Sequence, residues 1–437
     1  MPAPRGTPSL TLLSLIILVW LVLLFLNPYS QASFEKGKVL IFLVGTGCLA
    51  LLLLATGRQA LGRTGRSLRQ HPLTLPLLLF AGSQLSAAAL SPTPRLALLS
   101  PLSWHGALLS AAGTGFCLLA ILILQDSSAQ RLLVTALLVV SVPITLYGWL
   151  QFLGLDPVTW RLDSVSVVQA TLGRSIYLGA YLAICLPLTL NRAGAGSPAS
   201  RWLYGGLALV QLGLLYLTLA RSGWLAFVAA TALLLWLNSR PSNGRRWLLL
   251  VAGLSVAALL FALIWTNYGG VSDLQLAKLL DARLKGDLGR IYAWEAVLAR
   301  WPARPLWGHG PETFASYYAT YTTAKWEIAY YQRLTDPHNL FFAVLDGSGL
   351  VGLLALGWLL GRTGRIFWQR YQQAAAGRVR HELVASAAAL LAFLVSAQFN
   401  PQRVALTMLF WLLLALVTSP PESDSPADRP ASPSQPV

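Results

Sequence analysis

The stretch WLYGGLALVQLGLLYLTLARSGWLAFVAATALLLWLN, residues 202–238, is apolar along its whole length except at Arg221, Ser222 and Gly223. A single helix of this length would be roughly 55 Å long. The hydrocarbon core of a bilayer is only about 30 Å thick. The stretch therefore predicts two membrane-spanning helices joined by a tight turn, with Arg221 at the tip of the hairpin.

Similar apolar runs recur through the chain. Of the 437 residues, 55% are hydrophobic and 11% are charged, whereas soluble domains have about 25% charged residues. This composition predicts an all-α polytopic membrane protein, because each run is long enough to span a bilayer as a helix. We expect twelve spans, at residues 10–27, 39–56, 73–90, 105–124, 131–153, 173–190, 202–220, 222–238, 247–266, 339–360, 382–398 and 403–418.

The distribution of Lys and Arg predicts the orientation. Twelve spans put both termini on one side, and the short loops of that side carry 17 Lys and Arg against 7 in the short loops opposite. Long loops are exempt from the charge rule, and positive residues concentrate in cytoplasmic loops. Both termini are therefore expected in the cytoplasm, with the Arg221 tip and His338 outside.

The domain organisation follows from these spans. Residues 1–266 are expected to hold the first nine helices and residues 267–337 one large extracytoplasmic loop. Residues 338–418 would hold the last three helices, and the Pro- and Ser-rich residues 419–437 a disordered cytoplasmic tail. The first apolar run is expected to be an anchor, because no small-residue cleavage site follows it.

Composition also argues against several classes of protein. The net charge of +16 fits the positive-inside bias and contact with anionic lipid. Nucleic-acid binding is disfavoured, because no basic run is interleaved with exposed aromatic residues. The three cysteines, Cys48, Cys117 and Cys185, all lie inside apolar runs and are expected to be packing residues. No metal-binding motif is found, so no metal is expected.

The expected outer loop contains GDLGRIYAWEAVLARWPARPLWGHGPETF, residues 286–314, just after Lys285. Its apolar residues recur at helical spacing until Pro302, which predicts an amphipathic helix. Arg290 and Trp294 are four residues apart and share one face of it. They could form part of a site, or the arginine could simply be solvated above a buried tryptophan. His309 lies in a Gly-His-Gly turn, which is a weak signal.

The segment TDPHNLFF, residues 335–342, enters the next apolar run. Asp336 is a good N-cap and Pro337 suits a first helical position, so His338 is expected in the first turn of a helix. A histidine there could be an ordinary interfacial residue or a general base. Asp346 is the one charge well inside an apolar span, where carboxylates are costly and often functional.

Several arginines and this histidine are thus expected on one side of the membrane. Arg221 alone could be an arginine that extends to lipid head groups. Together, however, arginines suit a phosphate, because the planar guanidinium binds bidentately and stays charged. A substrate that lies in the membrane and carries phosphate at its surface is a lipid diphosphate.

Four stretches, in order, resemble the bacterial O-antigen ligase and O-antigen polymerase superfamily, membrane glycosyltransferases of GT-C type. They are LYGWLQFLGLDP (146–157), TLARSGWLAF (218–227), GRIYAWEAVLARWPARPLWGHGPETF (289–314) and HNLFFAVLDGSGLVGLL (338–354). The resemblance covers about residues 140–360. The chain departs from the pattern at Arg174, Ser175 and Ile176, where Asn-Pro-Asn is usual, and at Asp346 and Ser348, where Glu and Thr are common.

The resemblance implies a GT-C-like fold and an enzyme that moves a glycan from an undecaprenyl-diphosphate carrier to an acceptor hydroxyl. The acceptor of the ligases is a lipid A-core sugar, which implies lipopolysaccharide biosynthesis at the periplasmic face of the inner membrane. It implies His338, Arg221 and Arg290 as catalytic residues, with no cofactor. Substrate-binding candidates are Arg174, Lys285, Trp294, His309, Asn339 and Asp346.

Other functions stay open at this point. An O-antigen polymerase or a protein O-oligosaccharyltransferase would use the same donor with a different acceptor. A lipid-glycan transporter or flippase would carry charges at mid-membrane depth in several spans, often in broken helices, whereas here Asp346 is the main such charge. A purely structural membrane scaffold is the remaining alternative. Membrane lipids are expected partners in every case.

Overall fold

The computed structural model describes residues 9–27, 35–55, 68–100, 106–158, 168–195, 197–238, 289–321, 334–374 and 377–419. These residues form helices and connecting turns, and no strand occurs among them. The all-α class is therefore confirmed for this part of the chain. The expected ninth span, Lys285 and the C-terminal tail lie outside the described residues.

Besides the helical residues 68–70, the described ranges contain fourteen α-helices. They are α1 (Leu10–Leu24), α2 (Glu35–Ala55), α3 (Thr74–Ala89), α4 (Pro94–Leu99), α5 (Ala107–Ile123), α6 (Ser127–Phe152), α7 (Ser175–Ala195), α8 (Pro198–Leu217), α9 (Arg221–Asn238), α10 (289–300), α11 (Phe314–Tyr321), α12 (Leu340–Gln373), α13 (Arg378–Ser396) and α14 (Val404–Thr418). A short 3-10 turn, Trp301–Ala303, follows α10. The hairpin is found where expected, since α8 ends at Leu217 and α9 begins at Arg221.

Five of the described helices are long and apolar enough to cross a membrane, by length and composition: α2, α6, α7, α12 and α13. Four shorter apolar helices, α1, α3, α5 and α14, accompany them. Eleven of the twelve expected spans thus coincide with helices, while the number that crosses the membrane and the large outer loop stay predictions.

Two groups of helices pack together. Helices α7, α8, α9 and α13 form one group, and α3, α5, α12 and α14 form the other, with α13 against α14 joining them. The backbones of α7 and α9 approach closely, because a Cβ on Gly223 would lie 2.8 Å from the carbonyl carbon of Gly179. Glycine is required at such a contact, since any side chain would push the helices apart.

Helix α12 differs from the expected span, 339–360, in two ways. It continues to Gln373, and it is broken at Gly349, where φ is 62° and ψ is −159°. A Cβ at Gly349 would meet the Leu306 carbonyl oxygen at 2.4 Å, so the loop after α10 packs directly into the break. The freed backbone groups are satisfied by that loop: Leu350 N–H donates to Pro305 O at 2.9 Å and Val351 N–H to Leu306 O at 3.1 Å.

Helices α7, α9, α12 and α14 begin at the same end of the bundle, which we call the upper end. The link between α13 and α14 connects them. Its Ala397 carbonyl accepts from Leu340 N–H at 2.9 Å, and its Asn400 Nδ2 donates to Ser222 Oγ at 3.0 Å. Helix N-termini carry partial positive charge and unpaired N–H groups. The upper end is therefore suited to an anion before any side chain is considered.

Candidate active site

His338 lies in a tight turn at the upper end. Its backbone is left-handed, with φ of 57°, a conformation that is uncommon outside glycine. Asp336 holds it there, because its Oδ1 accepts from His338 N–H at 2.6 Å. The ring Nδ1 lies 2.7 Å from the Asp336 carbonyl oxygen. A carbonyl can only accept, so Nδ1 carries the proton and Nε2 keeps a lone pair.

The start of α12 was predicted wrongly. Asn339, and not Asp336, is the N-cap: its Oδ1 accepts from Phe341 N–H at 2.9 Å and from Phe342 N–H at 3.1 Å. Pro337 and His338 precede the helix, because the left-handed turn at His338 separates them from it. Asp336 and Asn339 suit a cap equally well by residue type. The side chain of Asn339 therefore has a structural role as the N-cap of α12.

Trp294 links helix α10 to the turn that carries His338. The indole Nε1–H donates to Pro337 O at 2.9 Å, and the ring stacks on Phe342 with centroids 5.6 Å apart. Arg290 lies one turn before Trp294 on the same face of α10. This contact brings Arg290 within electrostatic reach of His338.

The electrostatics of His338 reveal its surroundings. Burial and the positive charges of Arg290, Arg403 and Arg174 together lower its pKa to about 4, although the hydrogen bond with Asp336 acts in the opposite direction. The imidazole is therefore neutral near pH 7. Burial raises the pKa of Asp336 to about 6, although the His338 N–H and the Arg403 charge favour its carboxylate form. Three arginines thus act on one neutral histidine.

Arg174 and Arg403 each stand directly before a helix at the upper end. The Arg174 carbonyl accepts from Tyr177 N–H and Leu178 N–H, both at 3.1 Å, at the start of α7. Arg403 precedes α14, and its guanidinium lies 5.1 Å from the centre of the Tyr177 ring. Both charges therefore add to the partial positive charge of the helix N-termini beside them.

Arg221 belongs to the same end by a different route. It is the exposed first residue of α9. Its neighbour Ser222 bonds to Asn400, and the segment around Asn400 also accepts from Asn339, since Nδ2 lies 3.3 Å from the Gln398 carbonyl oxygen. The structure thus brings Arg221, Arg290, Arg174 and His338 to one end, as the sequence suggested.

Asp346 and His309 form a second cluster in the break of α12. The Arg300 Nη1 lies 3.4 Å from Asp346 Oδ2 and 3.5 Å from Oδ1. His309 Nδ1 is 3.8 Å from Asp346 Oδ1, and His309 N–H donates to the Asp346 carbonyl at 2.8 Å. Burial and the positive charges of Arg300 and Arg304 together lower the pKa of His309 to about 4, although the hydrogen bond with the Asp346 backbone acts in the opposite direction. His309 is therefore neutral, and the ion pair is the one between Arg300 and Asp346.

Sequence reasoning missed Arg403 and Arg300. Arg403 lies outside the four quoted stretches, and Arg300 lies within residues 289–314 at a position to which no role was assigned. Each acts on a residue far along the chain, as with Arg300 and Asp346, 46 residues apart. One signal could have drawn attention to Arg403, namely an arginine directly before the last apolar run on the expected outer side. Lys285 lies outside the described residues.

Comparison with known proteins finds a similarity in the central part of the chain. A family model described as O-antigen ligase matches residues 206–357. Over these residues the chain is similar to the O-antigen ligase family. It contains Arg221, Arg290, His338 and Asp346, whereas Arg174 and Arg403 lie outside it. No curated protein matches the chain.

The family assignment supports the coarse functional class. The O-antigen ligase family is associated with glycosyltransferase activity in O-antigen biosynthesis and with lipid-linked glycan and acceptor substrates. The apolar helices together with this family mark a membrane protein. No group of three His, Cys, Asp or Glu side chains that could hold a metal ion occurs among the described residues.

Proposed function

We propose that this protein transfers a glycan from an undecaprenyl-diphosphate carrier to a hydroxyl of a lipid A-core acceptor, at the periplasmic face of the bacterial inner membrane. The observation that carries the proposal is the His338 turn. There a neutral imidazole presents Nε2 as a base, while the charges of Arg290, Arg403 and Arg174 converge on it. A base beside an anion-binding surface is what attack on a diphosphate-linked sugar requires.

The reaction has one direct step. The acceptor oxygen attacks the anomeric carbon as its proton moves to His338 Nε2, and the bond between that carbon and the diphosphate oxygen breaks. The electron pair leaves with the diphosphate, so the anomeric configuration inverts. The imidazolium then returns the proton to solvent or to the released diphosphate.

The arginines bind the donor and offset the charge that develops on the leaving oxygen. In the proposed mechanism Arg290 and Arg221 bind the diphosphate and offset this charge. Arg174 and Arg403 add positive charge to the same surface. Because a diphosphate is already a good leaving group, guanidinium groups and helix N-termini suffice, and the reaction is metal-independent. Trp294, Asn339 and Asp336 act on the position of His338, through the contacts described above.

The test is a transfer assay with purified protein, a polyprenyl-diphosphate glycan and lipid A-core, with and without EDTA. We expect transfer that survives EDTA and is lost in His338→Ala, Arg221→Ala and Arg290→Ala. Arg365→Ala is the matched control, because Arg365 is an exposed arginine at the other end of α12. Full activity of His338→Ala contradicts the assignment of the base.

The acceptor is tested in the same assay. Transfer to a second lipid-linked repeat unit, or to a protein, in preference to lipid A-core would replace the ligase by an O-antigen polymerase or a protein O-oligosaccharyltransferase. Movement of the intact glycolipid across the membrane without bond formation would replace it by a transporter.

A further inference from the structure

An apolar cavity lies inside the bundle, directly next to the turn that carries His338. Asp336, Pro337 and Leu340 border it at the upper end, and α2, α3, α5, α12, α13 and α14 contribute to its walls. Aromatic rings line much of its depth: Phe42, Phe80, Phe393, Phe410 and Trp411. The turn that carries the proposed catalytic base thus borders an apolar cavity.

The lining is more polar at the upper end of the cavity than below it. Thr335 and Asp336 lie at that end, next to the His338 turn. Along α14, Val404, Met408 and Trp411 follow one another on one face and carry the lining about 10 Å into the bundle. Such a cavity fits an amphipathic ligand with its polar head beside His338 and an apolar chain below.

The deeper polar side chains of the cavity are already engaged with protein. Gln84 Nε2 donates to Ser348 Oγ at 2.7 Å, and the Asp346 carboxylate faces Arg300 at 3.4 Å. A ligand in the depth of the cavity would meet mostly rings and aliphatic groups. The chemistry therefore favours a hydrocarbon chain over a sugar at this level.

We propose that this cavity holds the isoprenoid chain of the donor, starting with the units next to the diphosphate. The inference rests on the proposed function, because it takes the donor to be a polyprenyl diphosphate. In that donor the hydrocarbon begins one diphosphate away from the reacting carbon. In a lipid A-core acceptor, several sugars separate the reacting hydroxyl from the acyl chains. Because Asp336, Pro337 and Leu340, all within two residues of His338, line the cavity, the donor chain is the one that reaches it.

Binding of prenyl diphosphates without a sugar tests this directly. The protein in lipid nanodiscs is titrated with inorganic diphosphate and with geranyl, farnesyl and geranylgeranyl diphosphate, and empty nanodiscs correct for partition into lipid. We expect affinity to rise by about 10²–10³-fold from geranyl to farnesyl diphosphate, because the added isoprene unit transfers five carbons from water into the cavity. Equal affinity for all four probes would overturn the proposal.

Two substitutions on α12 distinguish the effect of filling the cavity from the general effect of adding a large side chain. Val344→Trp fills the cavity, since Val344 is a buried lining residue. Leu354→Trp is the control, since Leu354 is 69% exposed on the outside of the same helix. We expect Val344→Trp to lose the dependence on chain length and to keep its affinity for inorganic diphosphate, while Leu354→Trp behaves as wild type. The same loss in both variants would overturn the proposal.

A further variant and two further comparisons test the remaining outcomes. Leu109→Phe fills the cavity from α5 and replaces Val344→Trp if that variant does not fold. If lipid A displaces farnesyl diphosphate from the wild type but not from the filled variant, the cavity binds the acceptor. That result would overturn the assignment of the cavity to the donor. Binding that depends on chain length, without any glycan transfer, would refute the proposed function and support the assignment of the cavity to an isoprenoid chain. Glycan transfer without any dependence of binding on chain length would support the proposed function and refute that assignment.

Discussion

Two clusters in this protein are built from the same three residue types. The upper one contains His338 and Asp336 with Arg290, Arg403 and Arg174, and the other contains His309, Asp346 and Arg300. His309 is buried and His338 is partly buried, and both are neutral, with pKa values lowered to about 4. Residue type and pKa therefore do not tell them apart.

The hydrogen bonds of the two clusters distinguish them. In the second cluster the Arg300 guanidinium is held by both oxygens of Asp346 and lies 3.4 Å from Thr313 Oγ1. It also lies 4.6 Å from the centre of the Tyr317 ring. The His309 backbone is fixed on both sides, since its carbonyl accepts from Ser91 Oγ at 2.6 Å. That cluster joins the loop after α10 to the broken helix. In the upper cluster three arginine charges act on a ring whose Nδ1 alone is engaged by Asp336.

The largest expected difference is in the two histidines themselves. We expect His338→Ala to lower the transfer rate by about 10²–10⁴-fold, the usual contribution of a positioned base. His309→Ala should keep most of the rate per folded molecule, because it removes a packing group. Initial rates of glycan transfer, normalised to folded protein by thermal unfolding, compare them. An equal loss in both variants would remove the distinction between the clusters.

Arg403 gives the next largest effect. Arg403→Gln should weaken donor binding and raise KM for the donor by about 10–100-fold, because a charged hydrogen bond to phosphate is worth roughly 1.5–3 kcal/mol. Arg403→Lys should recover part of this, since it restores the charge without the planar fork. Steady-state kinetics with varied donor measure it. Unchanged KM in Arg403→Gln would exclude this arginine from the donor site.

The second cluster should affect stability more than rate. Asp346→Asn leaves the Arg300 guanidinium buried beside a neutral amide, so we expect the free energy of unfolding to fall by about 3 kcal/mol, the low end for a broken buried pair. Replacing both partners by Leu should recover most of the loss. Thermal unfolding tests this, with Arg365→Leu as the exposed control. A double variant less stable than Asp346→Asn would contradict it.

The smallest effects are those of pH. The pKa of both histidines is lowered from 6.5 to about 4, so the stability they contribute is fully present above pH 6.5 and is lost as the pH falls through 4. His309→Gln should flatten that loss of stability without moving the acid limb of transfer. Arg403→Gln should move the acid limb to higher pH, because removing a positive charge raises the pKa of His338. Rates and unfolding temperatures between pH 4 and 8 measure the two effects.

The helices were largely predictable because the signal is local. Apolar runs such as residues 202–238 specify their helices through composition and length alone, and Arg221 marked the turn between α8 and α9. The start of α12 was not predictable in the same way. Asp336 and Asn339 are equally suitable caps, and the choice depends on His338 adopting a left-handed backbone. That conformation is held by the side chain of Asp336 and cannot be read from residue types.

The sequence by itself determined an all-helical membrane protein with a hairpin at Arg221 and arginines beside a histidine, because hydrophobic burial and charge exclusion act along the chain. Only the tertiary structure decided which arginines act on His338. It brought Arg174 and Arg403 to the upper end, and it tied Arg300 to Asp346 in the break at Gly349. The physical reason is that charges act through space over a few ångströms, whereas these partners lie tens to hundreds of residues apart.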